Sequence, residues 1–374
     1  MNKFKVAIIG CGRLGQQYAT VYSAYPDTEL VAIAEHNPER RKAVGERFRI
    51  NALYPDAKSM LKEVVPDIAA VVTPTKWMKE SVIACAEAGV KGVSTDKPLA
   101  AKLSDADEMV EACESKGVVF AGGNLAVAHN HVQETASWIR EGKFGEIKGG
   151  IVNCMADDLT GGGVQWISAL RLFMGCEISN VIAWGNPEGT IHNNDSVMGS
   201  NGIFEMSNGI SVPFYQENVL DTYKEKIRID KGTTHKAKMG MDLWTDDSLI
   251  RWFWDDLDLY KGFDKKGKRK LYTPTFTDWD WRPFNYLAGS TRSLIQAIQT
   301  GSRLAISGHD LRQALEAAIA IKLSARLGNT PIKLPLSDRS LGLMPGDHRW
   351  VGGDLSGNPQ AVSDASSNWN GYYQ

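Results

Sequence analysis

Apolar residues in the first third of the chain fall in short unbroken runs rather than in alternation. Lys5 to Ile9, Leu30 to Ala34, Ile68 to Val72 and Val118 to Ala121 are such runs, and a run without polar breaks marks a strand covered on both faces. Helical stretches separate them: Gln16 to Ala24, a segment opening at Asn37-Pro38-Glu39 with proline in its first turn, and Lys79 to Ala88. Gly92 to Thr95 reads as one more strand, and Val132 to Glu141 as a helix stopped by Gly142. Strands spaced by helices need crossover connections, so the pattern predicts a parallel, doubly wound α/β sheet.

Beyond about residue 146 the texture changes. Ile147 to Asn153, Val197 to Phe204, Gly209 to Tyr215 and Lys226 to Asp230 are strand candidates, several bordered by Gly or Asn turns. They predict an α+β domain built on a large, mostly antiparallel open sheet. A helix over Val164 to Met174 interrupts it, and a long alanine-rich helix, 310–327, closes it and is expected to pack back on the first domain. The expected division is 1–125 for the α/β domain, 126–338 for the α+β domain, and 339–374 for an extension. The extension's Gly, Ser, Asn and Asp with scattered aromatics suit a wrap over a surface.

Composition narrows the function. A length of 374 residues fits two domains, and a net charge of -2 supplies no basic field for nucleic acid or anionic lipid. Cys11, Cys85, Cys113, Cys154 and Cys176 include no C-x-x-C pair, so neither a disulfide framework nor a zinc site is suggested, and no metal is expected. No signal-like stretch precedes the first strand and no apolar run reaches membrane-spanning length, so a cytoplasmic protein is expected. Trp244, Trp252, Trp254, Trp279 and Trp281 lie close together in sequence; flat aromatic faces suit sugar rings, and core packing equally.

The first strand runs directly into Gly10-Cys11-Gly12-Arg13-Leu14-Gly15 and then a helix. This is a G-x-G-x-x-G loop in the strand-loop-helix setting of a Rossmann domain. The first glycine permits the turn, the second lets backbone approach a pyrophosphate, and the third lets helix pack on strand. Glu35 sits 20 residues after Gly15 at the end of the second strand, where a carboxylate accepts the hydroxyls of an adenosine ribose. That favours NAD, with NADP the alternative because His36, Arg40 and Arg41 lie beside it; a solvated helix face is the preferred reading of the two arginines. Thr73-Pro74-Thr75 and Asp96-Lys97-Pro98 end the next two strands at the same edge. Both threonines and Asp96 are candidate cofactor contacts, although Thr73-Pro74-Thr75 also reads as an ordinary strand-to-helix cap. Lys97 is placed either to hydrogen-bond a substrate hydroxyl and move its proton or as a plain surface lysine.

This ordered set, with Gly142-x-x-Gly145-Glu146-Ile147, Ser307-Gly308-His309-Asp310, Ala314 to Ala325 and Leu334-Pro335-Leu336, resembles the glucose-fructose oxidoreductase and inositol dehydrogenase family, Gfo/Idh/MocA. The resemblance spans about residues 4–336. It implies hydride transfer between a sugar, polyol or inositol carbon and NAD or NADP, with the lysine of a Glu-Lys-Pro motif beside the nicotinamide. Here Asp96 replaces that glutamate. It also implies a helix bearing a histidine acid/base and an aspartate, whose places are held by Gln165 and Ser168. An amide orients a hydroxyl but takes no proton. His129, with His131, stands in the loop after the fourth strand as an auxiliary candidate; Asn124 at that loop's start is a candidate cofactor contact, and Asp157 and Asp158 are further candidates.

The expected function is therefore an NAD-dependent oxidoreductase acting on a secondary alcohol or ketone of a sugar, polyol or glycoside, with Lys97, Gln165 and His129 as the reacting set. Loss of the histidine keeps two alternatives open. One is tightly bound NAD recycled internally for glycoside cleavage, elimination or isomerisation; the other is a non-catalytic NAD and sugar sensor. The open sheet suggests a homodimer or homotetramer.

Overall fold

The computed structural model describes residues 3–123, 125–156, 158–185, 191–216, 240–253, 256–277 and 285–352. The chain divides into two compact units, one of residues 1–128, 280–312 and 346–374, the other of 129–279 and 313–345. Each unit is assembled from separated stretches of chain.

In the first unit six strands form a parallel sheet: β1 (Phe4–Ile9), β2 (Thr28–Ala34), β3 (Leu53–Tyr54), β4 (Ile68–Val71), β5 (Gly92–Ser94) and β6 (Val119–Ala121), in the order β3-β2-β1-β4-β5-β6. The apolar runs bury most of their residues, with Leu30, Val31 and Val119 only half-buried; Val6, Ala7 and Ile8 of β1 and all of β4 are fully inaccessible. Helices α1 (Arg13–Ala24), α2 (Pro38–Phe48), α3 (Ala57–Glu63), α4 (Thr75–Ala88) and α5 (Leu103–Ser115) make the crossovers. α1 starts at Arg13 and α4 at Thr75, each several residues before the first periodic apolar position, so both helices begin inside the motif that precedes them. Strand order reverses between β1 and β4, and the carboxyl ends of those strands open the crevice where doubly wound sheets bind ligands.

In the second unit α6 (Asn130–Arg140) is followed by a sheet of nine described strands. These are β7 (Gly149–Met155), β8 (Ile178–Gly185), β9 (Ser200–Met206), β10 (Ser211–Gln216), β11 (Met241–Trp244), β12 (Ser248–Phe253), β13 (Asp256–Phe263), β14 (Arg269–Tyr272) and β15 (Ile332–Lys333), in the order β14-β13-β12-β11-β7-β10-β9-β8-β15. Every neighbouring pair is antiparallel except β7 with β10. The strand expected at 226–230 lies outside the described residues, as do Trp254, Trp279 and Trp281. α7 (Val164–Met174) matches its sequence reading and packs on β7.

Side chains alternate across this sheet with a period of two. Cross-strand register puts Val152, Phe214, Met241, Ile250, Trp252 and Leu259 on a buried face. The opposite face carries Trp184, Tyr215, Trp244 and Leu271, all open to solvent. Two more helices complete the described chain: α8 (Asn285–Thr300) and α9 (Gly308–Arg326), the latter passing from the first unit into the second at residue 312.

The Trp252 indole anchors the buried face, fully inaccessible, with Trp166 edge-on at 5.0 Å and Phe173 at 6.3 Å. Trp252→Ala is expected to cost about 3–5 kcal/mol, read as a lower urea midpoint; an unchanged midpoint would show that the indole does not organise this core.

Candidate active site

The glycine loop owes its shape to three different constraints. Gly10 has φ 89°, a left-handed conformation that strains any other residue, and a Cβ there would lie 2.6 Å from the Val72 carbonyl oxygen. A Cβ on Gly15 would meet the Gly10 oxygen at 1.9 Å, so α1 packs this close only without a side chain. At Gly12 nothing lies within 4 Å of a Cβ position: bare backbone faces open space. No side-chain hydrogen bond caps α1 at Gly12, and the Gln16 amide bonds back to the Gly12 carbonyl at 3.0 Å. An uncapped helix start behind an open glycine fits a pyrophosphate, and the cradle is ready for a dinucleotide.

Glu35 stands one residue beyond β2 and is 4% exposed. Its Oε2 accepts the Cys11 amide at 2.8 Å and its Oε1 the Asn37 amide at 2.9 Å. His36 Nδ1 lies 2.9 Å and Arg40 Nη1 3.4 Å from Oε1. The carboxylate is thus locked to the glycine loop before any ribose arrives. Arg40 corrects the sequence reading: it is no solvated helix face but is 3% exposed and paired to Glu35, because a carboxylate this deep needs a counter-charge. Arg41 donates to the Glu35 carbonyl at 2.6 Å. Sequence reasoning also passed over Trp77 in the first turn of α4. Its ring is 6.4 Å from that of His36 and lies under Lys76 Nζ at 5.4 Å, and the only local signal was an aromatic residue just past a strand end.

At the ends of β4 and β5 the expected residues also gather. The Thr73 hydroxyl is buried and lacks a hydrogen-bond partner, whereas Thr75 donates to the Pro98 carbonyl at 3.4 Å and so ties the start of α4 to the Asp96-Lys97-Pro98 turn. Asp96 is 2% exposed; its Oδ1 accepts the Lys97 amide at 2.6 Å and lies 3.6 Å from Lys97 Nζ, while Oδ2 is buried without a partner. Burial raises the Asp96 carboxyl above its ordinary range, against the pull of Lys97 and of Arg349 from the 346–352 stretch. Lys97 is not a surface lysine, since its side chain is only 12% exposed. Asn124 lies outside the described residues.

The remaining candidates belong to the second unit. His129 is 4% exposed just ahead of α6, its ring 5.0 Å from that of His131. Gln165 and Ser168 are buried on α7, at 6% and 4% exposure, and the Ser168 hydroxyl has no hydrogen-bond partner. Asp158 Oδ1 accepts from the Gly161 amide at 3.1 Å, Thr160 Oγ1 at 3.1 Å and Ser196 Oγ at 2.9 Å, and it shapes the turn that enters α7. Asp157 lies outside the described residues. Among the described residues no group of His, Cys, Asp and Glu could hold a metal ion, and no helix is long and apolar enough to cross a membrane.

Residues 4–123 match the sequence profile of Gfo/Idh/MocA, described as an oxidoreductase family with an NAD-binding Rossmann fold. The match is confined to the N-terminal Rossmann part of the chain. D-apiose dehydrogenase of Paraburkholderia graminis is 36% identical over 145 residues, 39% of this chain and 38% of that protein. A 2,7-anhydro-N-acetylneuraminate hydratase of Mediterraneibacter gnavus is 28% identical over 147 residues, again 39% and 38% of the two chains. These matches thus cover well under half of each relative's length. The fold likeness reaches further: the WlbA dehydrogenase of Bordetella pertussis, solved with NADH and UDP-GlcNAcA, superposes with a TM-score of 0.67 at 18% identity, covering 90% of this chain and all of that one.

The raised pKa of Asp96 has a definite sign. The folded protein holds this proton more tightly than the unfolded chain, so the contribution to stability is whole below the ordinary aspartate pKa and is lost as pH rises through the folded value. Asp96→Asn, measured on cofactor-free protein, is expected to gain thermal stability relative to wild type at pH 7, with the gain shrinking toward pH 4. A difference independent of pH would mean that ionisation of Asp96 carries no penalty.

Proposed function

We propose that the chain is an NAD-dependent oxidoreductase that moves hydride between the nicotinamide and a secondary alcohol or ketone of a sugar, polyol or glycoside. The observation that carries the reading is Lys97, a lysine withdrawn from solvent at the carboxyl edge of the sheet, beside the buried carboxylate of Asp96 and on the same edge as the open glycine cradle. NAD, when bound, supplies the hydride acceptor. Gly12 and the first turn of α1 hold its pyrophosphate, Glu35 accepts from the adenosine ribose, and His36 with Trp77 offers aromatic surface to the adenine. Arg40 offsets the charge of Glu35 and so softens, without reversing, the preference for NAD over NADP. In its neutral amine form, Lys97 Nζ would accept a hydrogen bond from the reacting hydroxyl and take up its proton, becoming an ammonium beside Asp96, as the carbon gives up hydride. Gln165 orients that hydroxyl and His129 assists.

A second reading is favoured by α7 itself, which presents an amide and a hydroxyl, Gln165 and Ser168, where a titrating pair is expected. With no second proton carrier on that helix, a cycle in which the same cofactor is reduced and reoxidised within one turnover becomes chemically attractive, and one of the relatives is a hydratase. A sensor role is the third possibility. The free thiols of Cys85 and Cys113 are buried, each pushed up to about 12 by burial, which suits an unreactive role in a reducing, cytoplasmic setting.

On a sugar that wild type oxidises, Lys97→Met is expected to lower kcat by roughly 10²–10⁴-fold, the usual worth of a proton-transfer group, with NAD affinity little changed; full turnover would remove Lys97 from its role. Protein that carries NAD yet releases no NADH while converting substrate indicates internal recycling, and absence of hydride exchange with labelled cofactor indicates a sensor.

The exposed aromatic face of the nine-stranded sheet fits a second copy of the chain, giving a homodimer or homotetramer. Sedimentation should show wild type above monomer mass and Trp244→Glu shifted toward monomer; a monomeric wild type at micromolar concentration would refute this interface.

A further inference from the structure

Among the buried charges one has no place in the machinery above. Lys322 lies on α9 within a run of Ala317, Ala318, Ile319, Ala320 and Ile321, and it is 2% exposed. Its Nζ donates to Asn193 Oδ1 at 2.8 Å and to the Asp195 carbonyl at 2.5 Å. An apolar residue of similar length would satisfy this helix face without desolvating an ammonium, which is costly even when well hydrogen-bonded. Burial, aided by Arg326 and opposed by Asp195, lowers the Lys322 pKa to about 8. With the folded pKa below the unfolded one, the charged form weakens the fold at neutral pH, and that cost fades as pH climbs from about 8 toward the ordinary lysine value. Stability alone therefore does not explain a lysine here.

The stretch it grips leads straight to α7. Ser196, in the same loop and fully buried, donates its hydroxyl to Asp158 Oδ1 at 2.9 Å, and its carbonyl accepts the Leu159 amide at 3.1 Å. The loop is held from a second side by Met344, whose amide and carbonyl pair with Asn194 and Ser196 at 2.7 Å each. Asp158 in turn caps Gly161 and fixes the turn 159–163, from which α7 emerges with Gln165 as its second residue. Three glycines make that turn pliable, so its geometry has to be imposed from outside.

We infer that Lys322 is a positioning residue, latching the 193–196 loop onto the Asp158 turn and thereby setting the orientation of Gln165. The latch is a property of the second unit alone; its bearing on turnover rests on the substrate role proposed for Gln165. The chain of contacts is continuous: ammonium to loop carbonyl, loop hydroxyl to carboxylate, carboxylate to glycine amide, and then the helix. It resembles the outer-shell groups that hold a reacting side chain in register without touching substrate.

The test uses the full chain loaded with NAD. Lys322→Met is expected to speed hydrogen exchange of the Gly161 and Gly163 amides about tenfold while leaving the thermal midpoint at pH 7 equal or higher. On the sugar oxidised by wild type, kcat/KM should fall about tenfold with NAD affinity unchanged. Wild-type kcat/KM should decline above about pH 8 as the ammonium, flanked by Asp195 and Arg326, loses its charge, and Lys322→Met should lack that decline. Ser196→Ala cuts the same chain one link on and is expected to reproduce the faster exchange, with the double variant no worse than either single one. Lys322→Gln, which keeps a neutral donor, should fall between, and together with Ser196→Ala it decides the matter if Lys322→Met does not fold. Unchanged exchange across 158–163, or additive effects of the two substitutions, overturns the latch. Altered exchange with unaltered turnover keeps the latch and overturns instead the role given to Gln165.

Discussion

A Cβ on Gly15 would sit 1.9 Å from the Gly10 carbonyl oxygen, and the whole cofactor edge follows from that missing atom. Because Gly15 carries no side chain, the start of α1 packs directly on the loop, and the backbone at Gly12 keeps open space beside it. Because Gly10 turns the chain with φ 89°, the Cys11 amide points back toward β2 and meets Glu35 at 2.8 Å. The loop and the Glu35 carboxylate are tied together across 24 residues of sequence. A rigid cradle binds without first ordering itself, which conserves affinity that a mobile loop would lose.

Two carboxylates are buried along this edge, and they are treated differently. Glu35 is surrounded by polar partners, two backbone amides, the Arg40 guanidinium and the His36 ring, so the carboxyl group is held in place. Asp96 keeps one oxygen without a partner and its carboxyl is raised by burial. The first arrangement builds a fixed acceptor. The second leaves an unsatisfied group beside Lys97, a cost in the resting protein that a ligand hydroxyl can offset. Such costs concentrate where function is.

The second unit solves another problem. A nine-stranded sheet with one apolar face covered and the other exposing Trp184, Tyr215 and Trp244 is incomplete as a solitary surface. Its α7 is buried on nearly every side and is entered through a glycine turn. Asp158, Ser196 and Lys322 give that turn a defined shape by contacts from three separate stretches of chain. Gln165 and Ser168 on this helix carry an amide and a hydroxyl, neither of which takes up a proton near neutral pH, which is why hydroxyl orientation is the role proposed for Gln165.

The parallel sheet, the glycine loop and Glu35 were legible in the sequence because each is written locally: unbroken apolar runs, a six-residue loop and a fixed count to the next strand end. The helix over Val164 to Met174 was legible for the same reason, a full apolar period closed by Gly175. Strands β11 to β14 were not anticipated, since short alternating runs such as Ser248–Phe253 become strands only through their cross-strand partners. Burial of Arg40 and Lys322 was also hidden. A charged residue on a helix reads as solvated until tertiary contacts bring up a carboxylate or a loop carbonyl to hold it. Sequence alone determined the Rossmann frame and the glycine loop that opens it. Tertiary structure decided which charges are buried and which groups shape the turn before α7, because those depend on neighbours as far as 129 residues away, as for Lys322 and Asn193, that no local pattern records.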